Sequence, residues 1–173
     1  MISIDLSGCK TLAEKIKRIM TQDADGILAT VETAISQIQK VVGVLKEQIA
    51  QGNKIVVTGA GASALVAMEM AGQGIETGIP VVVITNNLAQ AQPISFAKGV
   101  VEEEVGLSKY IVSVVNKGDV MIGVSASGGT GFVYDALAKA RQKGAITVAI
   151  TENIDTPLGK AADYIIKSNA KPE

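Results

Sequence analysis

Over the first fifty residues apolar side chains return every three or four positions, and from Lys54 onward they gather into short runs separated by amphipathic stretches. The first pattern predicts two helices. In one, Leu12, Ile16, Ile19 and Met20 fall at helical spacing. The other runs from about Asp23 to Gln51: Ile27, Val31, Ile35, Ile38, Val42, Leu45 and Ile49 form one stripe, with Glu32, Gln39, Lys40 and Lys46 off it. Gln51, Gly52 and Asn53 supply the stop. A helix of that length at the edge of a small domain either covers its own sheet or lies against a second copy of the chain.

The second pattern predicts strands over 54–58, 80–85, 119–124, 145–150 and 163–167, with helices over 63–76, 107–115, 130–143 and 157–161 between them. Regular alternation of strand and helix implies parallel strands joined by right-handed crossovers, hence a three-layer α/β/α doubly wound sheet of five strands. The organisation expected is a helical segment, 1–53, for packing or dimerisation, and a ligand-binding domain, 54–173. Residues 88–104 interrupt the alternation: they are polar, hold a proline and the acidic run Glu102, Glu103, Glu104, and read as a loop or short irregular helix crossing the ligand edge of the sheet.

Composition narrows the reading. The chain has 173 residues, enough for one domain with a substantial core, and is 47% hydrophobic but only 3% aromatic. That bias suits parallel strands buried on both faces. A net charge of −1 gives no basic footprint for nucleic acid. No apolar run approaches the ~18 residues of a membrane span, and the first ten residues lack the order of a signal peptide. A single cysteine, Cys9, excludes an internal disulfide and fits a reducing, cytoplasmic setting. Histidine is absent, which removes the commonest general base and metal ligand; no metal and no cofactor is expected.

Two loops concentrate the candidate chemistry, each following a strand and opening a helix. The second places Ser125, Ser127 and Thr130 around Gly128 and Gly129. Glycines let backbone N–H groups approach a ligand, and the helix that begins at Thr130 or Gly131 offers unpaired N–H groups and a positive dipole end. No lysine or arginine lies within the loop, so its neutral donors suit a phosphomonoester better than a polyphosphate. The first loop runs Gly59, Ala60, Gly61, Ala62, Ser63. It fits a phosphate cradle and also half of a dinucleotide fingerprint, but the next strand ends Ile84, Thr85, Asn86, Asn87 without the acid a nicotinamide site uses for its ribose. Ordinary strand-to-helix turns with serine caps use the same residue types. With no histidine, acid–base work on a sugar would fall to glutamates such as Glu103 and Glu104, although a run of three glutamates is also what a solvated helix start looks like.

The stretch from Gly118 to Thr130, the helix that follows and the strand ending at Thr151 resemble the core of a sugar isomerase (SIS) domain, and within that superfamily the N-acetylmuramic acid 6-phosphate etherases. The similarity extends to the opening helices (Thr11 to Glu14, Thr21 to Asp25), to Gly59–Ser63, and to the segments from Thr156 to Asp163 and from Lys171 to Glu173. The resemblance implies a flavodoxin-like five-stranded sheet, a homodimer or larger homo-oligomer, and a phosphosugar held by Gly59, Gly61, Ala62, Ser63, Ser125, Ser127, Gly128, Gly129 and Thr130. It loosely aligns Glu103 or Glu104 with a catalytic glutamate. The etherases have Arg and Pro where this chain has Gly129 and Gly131, and they continue past the position of Glu173 into a helical C-terminal part. Three readings are open at this point: an (amino)sugar-phosphate-binding protein, an active lyase or aldose–ketose isomerase working through glutamates, and a nucleotide-binding domain on the same sheet.

Overall fold

A capping box opens the first helix: the Thr11 hydroxyl accepts from Glu14 N at 3.1 Å, and the Glu14 carboxylate accepts from Thr11 N and Lys10 N. In the computed structural model, which describes residues 5–85 and 111–169, α1 then runs unbroken over Leu12–Ala50. Two helices were expected here, and there is one. The break expected ahead of Asp23 is not made: no proline intervenes, and Gly26, the glycine nearest to it, costs only about 1 kcal/mol in a long cooperative helix.

The sheet is formed by β1 (Ile55–Gly59), β2 (Val81–Val83), β3 (Val120–Val124), β4 (Ile146–Thr151) and β5 (Tyr164–Lys167). Its order is β2-β1-β3-β4-β5, every pair parallel, with Ile55 opposite both Val81 and Val120. The helices α2 (Ala62–Thr77), α3 (Gly131–Gln142) and α4 (Pro157–Ala161) follow β1, β3 and β4. Predicted and observed ends agree within a residue or two except at β2, which is three residues long against an expected six. Of the helix expected over 107–115, residues 111–113 are helical and Val115 lies past its end. Residues 86–110, including the expected crossing segment, lie outside the described residues.

The pleat sorts the strand residues onto two faces. Val57, Val120, Ile122 and Val148 face α1 and α2, while Val56, Met121 and Ala149 meet Phe132, Val133 and Leu137 of α3 and Leu158 of α4. At the amino edge Asp119, 2% exposed, joins the starts of β1 and β3: it accepts from Lys54 N at 3.0 Å and Asn116 N at 2.7 Å, and its carboxylate meets Lys54 Nζ at 2.5 Å.

α1 outruns the sheet. Its C-terminal end leads into β1 at the amino edge, whereas Asn169, just past β5, donates to Thr30 Oγ1, Ala29 O and Thr33 Oγ1 at the carboxyl edge. The turns before Ala29 therefore continue about 25 Å past that edge at 1.5 Å per residue. The predicted apolar stripe does not all turn inward: Ile27, Val31, Ile35 and Val42 are exposed, and the side chains buried in α1 are Ala34 and Val41. Among the described residues no helix is long and apolar enough to cross a membrane.

Candidate functional site

In a sheet of order 2-1-3-4-5 the connections leave β1 and β3 toward opposite faces, and the crevice between the carboxyl ends of those two strands is where such folds hold ligands. Both glycine- and serine-containing loops open there. Gly59, the last residue of β1, stands opposite Val124, the last residue of β3, in register on neighbouring strands. The loops predicted from sequence are thus brought together.

The first loop folds back hard on itself. A Cβ on Gly59 would lie 2.6 Å from the Ser63 carbonyl oxygen, so only glycine permits the backbone of α2 to start this close to the strand. Gly61 is the N-cap, and no side chain caps α2. Ala62 is exposed and Ser63 half-buried.

In the second loop the hydroxyls divide into two roles. Ser125 is 3% exposed; its Oγ accepts from Gly128 N at 3.2 Å and shares a 3.0 Å hydrogen bond with Thr130 Oγ1. It braces the loop from within. Ser127 is exposed, accepting from Gly129 N at 3.3 Å, Gly129 is exposed beside it, and Thr130 is half-buried. Gly128, at φ +65°, is buried against Thr156, and its carbonyl accepts from Leu158 N at 3.1 Å. Behind the loop, Ala126 O accepts from Glu152 N and Thr151 Oγ1, tying it to the end of β4. Thr130 is the N-cap of α3, again without a side-chain cap. By contrast α1 and α4 are capped by the side chains of Thr11 and Thr156.

The arrangement can therefore hold an anion. Two helix N-termini, neither covered by a side-chain cap, open on one crevice, where their positive ends and backbone N–H groups favour negative charge. Ser63, Ser127 and Thr130 add hydroxyls, while residues 59–63 and 125–130 contain no ionisable side chain. Glu103 and Glu104 lie outside the described residues. No group of three or more His, Cys, Asp or Glu able to hold a metal occurs among the described residues. Sequence reasoning missed Thr156, which walls Gly128 and caps α4 by accepting from Gly159 N at 3.3 Å; the signal for it was the Thr156-Pro157 pair, a strong helix start. It also missed Thr58, whose hydroxyl is fully buried with no hydrogen-bond partner among the described residues. Thr58→Val keeps the shape and removes that orphan, so it is expected to stabilise the fold by about 1–2 kcal/mol. A lowered unfolding midpoint in urea would contradict this.

The SIS domain family matches residues 20–152. The chain belongs to that family. One relative of this SIS domain is an N-acetylmuramic acid 6-phosphate etherase from Symbiobacterium thermophilum, 31% identical over 174 residues; the match covers 99% of this chain and 57% of the etherase. The chain thus spans a little over half the length of that relative. In fold it is similar to a phosphoheptose isomerase from Neisseria gonorrhoeae, with a TM-score of 0.79 at 18% identity over 94% of this chain and 88% of the other. It is also similar to the Vibrio vulnificus NanR protein complexed with ManNAc-6P, with a TM-score of 0.68 at 21% identity over 95% of this chain and 53% of the other.

Proposed function

We propose that the crevice between β1 and β3 binds the phosphoryl group of an (amino)sugar phosphate. The observation that carries this reading is the convergence of two helix N-termini without side-chain caps, together with Ser63, Ser127 and Thr130, on one point of the carboxyl edge. The names of the similar proteins, an etherase and an isomerase of phosphorylated sugars and a protein complexed with ManNAc-6P, support the same ligand class. Backbone N–H groups and hydroxyls would hold the phosphate, the glycines would admit it, and Ser125 would keep the second loop in shape. These loops supply binding groups and no acid–base group. Turnover would rest on Glu103 and Glu104, and lactate released from N-acetylmuramic acid 6-phosphate and abolished by Glu103→Gln or Glu104→Gln would make the site catalytic.

A thermal-shift series with amino-sugar 6-phosphates, inorganic phosphate and NAD tests the binding reading, since a ligand of the native state raises its stability by mass action. Stabilisation by the sugar phosphates is expected; stabilisation by NAD alone would overturn the proposal in favour of a nucleotide site. Ser127→Ala is expected to weaken sugar-phosphate binding by roughly 1–3 kcal/mol, the range for a hydrogen bond to a charged group, with the melting temperature of the free protein nearly unchanged. Unchanged affinity would reduce the loop to a turn.

Residues 1–53 serve assembly in this reading. Leu12, Ile16, Met20, Ile27, Val31 and Ile35 are all exposed along one side of α1, an apolar band of the kind that marks an interface. A second copy of the chain would cover it and give a homodimer, and the lone Cys9 suits a cytoplasmic one. Val31→Glu is expected to convert the dimer to a monomer by light scattering while the circular dichroism of the fold is kept. A wild-type monomer at tens of micromolar would rule the dimer out.

A further inference from the structure

The exposed apolar side chains of α1 carry a symmetry of their own. Leu12, Ile16, Met20, Ile27, Val31 and Ile35 stand 4, 4, 7, 4 and 4 residues apart, and all six are exposed. That spacing reads the same in both directions about a point between Asp23 and Ala24. A second copy of α1 turned end to end on that point sets Leu12 against Ile35, Ile16 against Val31 and Met20 against Ile27. A two-fold contact needs this kind of self-complementary patch, because each residue must meet its counterpart on the same surface.

Charge along the band has the opposite symmetry. Lys10, Lys15, Lys17 and Arg18 against Glu14 leave residues 10–20 at +3, whereas Asp23, Asp25 and Glu32 leave residues 21–32 at −3. Two copies running the same way would lay like charge beside like. Reversed, they lay each positive segment along a negative one. Lys17 follows Ile16 and Glu32 follows Val31, so both stand on the same flank of the band, and both are exposed. Reversal brings Lys17 of one copy beside Glu32 of the other, twice in each pair.

We propose that two copies of the chain pair through α1 in antiparallel, with the two-fold axis at Asp23 and Ala24. This rests on the homodimer reading of α1 and adds the direction and register that it leaves open. Asn169 fixes Thr30 and Ala29 at the carboxyl edge by donating to Thr30 Oγ1 and Ala29 O. The axis therefore lies about 9 Å beyond that edge at 1.5 Å per residue. The carboxyl edges of the two copies face each other about 20 Å apart, and both β1/β3 crevices open into the gap between them. A ligand reaches either crevice through that shared gap.

Charge exchange tests the direction. At low salt, Lys17→Glu alone and Glu32→Lys alone are each expected to weaken dimerisation about tenfold by analytical ultracentrifugation. An equimolar mixture of the two variants is expected to recover wild-type affinity as a heterodimer, since every pair then unites opposite charges. Oxidative cross-linking in a Cys9→Ser background tests the register. Ala24→Cys, beside the axis, is expected to link to its own counterpart; Ile16→Cys is not, its two copies standing about 23 Å apart along the helices. Efficient self-linking of Ile16→Cys, or a mixture no tighter than its components, would overturn the antiparallel arrangement while the dimer stands. A wild-type monomer would leave the band to a different partner and overturn the dimer reading together with this one.

Discussion

Alanine at Gly128 is expected to destabilise the protein by about 3–5 kcal/mol and to abolish sugar-phosphate binding, while alanine at the neighbouring Gly129 is expected to leave the stability of the fold nearly unchanged. The two glycines share a loop, and their surroundings differ. A Cβ on Gly128 would sit 2.2 Å from Thr156 Oγ1 and 2.7 Å from Thr156 Cβ, too near the root of that side chain for a rotamer change to relieve. Displacing Thr156 breaks its acceptance from Gly159 N, the side-chain cap of α4, for about 1–2 kcal/mol, and φ of +65° adds about 1–2 kcal/mol for an L-residue. The rest is overpacking in a region where Leu158 and Ala161 are buried. At Gly129 the nearest neighbour of an added Cβ is Ser127 Oγ at 3.8 Å, an ordinary contact. Urea denaturation of the two variants provides the check. Equal effects at both positions would mean that Thr156 does not wall the loop.

That contrast marks how far the sequence could be read. The five strands were legible because buried parallel strands condense into β-branched runs such as Ile55 to Val57 and Ile146 to Ile150, which few helices tolerate. The two loops were legible because glycine and serine cluster there. What lay between spacing and rotamer was not. Ser125, Ser127 and Thr130 read alike as three hydroxyls, yet Ser125 turns inward to brace Gly128 and Thr130, leaving Ser127 and Thr130 toward the crevice. Thr156 was invisible as a loop residue because its partner is 28 positions away.

The long helix shows a second boundary. Periodicity reports that one face of α1 is apolar, but not what that face meets; the structure leaves Ile27, Val31 and Ile35 exposed and buries Ala34 and Val41. Both choices are consistent with the same stripe. The mistaken break ahead of Asp23 has a related cause: two stretches of helical spacing read as two helices, yet nothing between them stops a helix that is already formed on both sides.

Replacing Asp119 by Asn is expected to cost about 2–4 kcal/mol at neutral pH, a penalty that shrinks in acid. Burial pushes the Asp119 carboxyl up, but hydrogen bonds from Lys54 and Asn116 and the charge of Lys54 outweigh it and hold the pKa below its ordinary value of 3.8. Asparagine can still accept from one backbone N–H, but its amide NH₂ then faces the donors Asn116 N and Lys54 Nζ, which leaves them without an acceptor at the joint between β1 and β3. Because the folded pKa is the lower one, the stability that this carboxylate contributes is fully present above 3.8 and is lost as pH falls through the folded value. The wild type should therefore lose its advantage over Asp119→Asn below about pH 4, and the two urea midpoints should approach each other there. A gap that stays constant from pH 7 to pH 3 would show that the penalty comes from packing instead. Asp119 stands at the amino edge, across the length of the strands from both loops, so the folded variant should bind sugar phosphate with wild-type affinity. The carboxylate that holds the sheet together and the neutral groups proposed to hold the ligand are separable by that single pair of measurements.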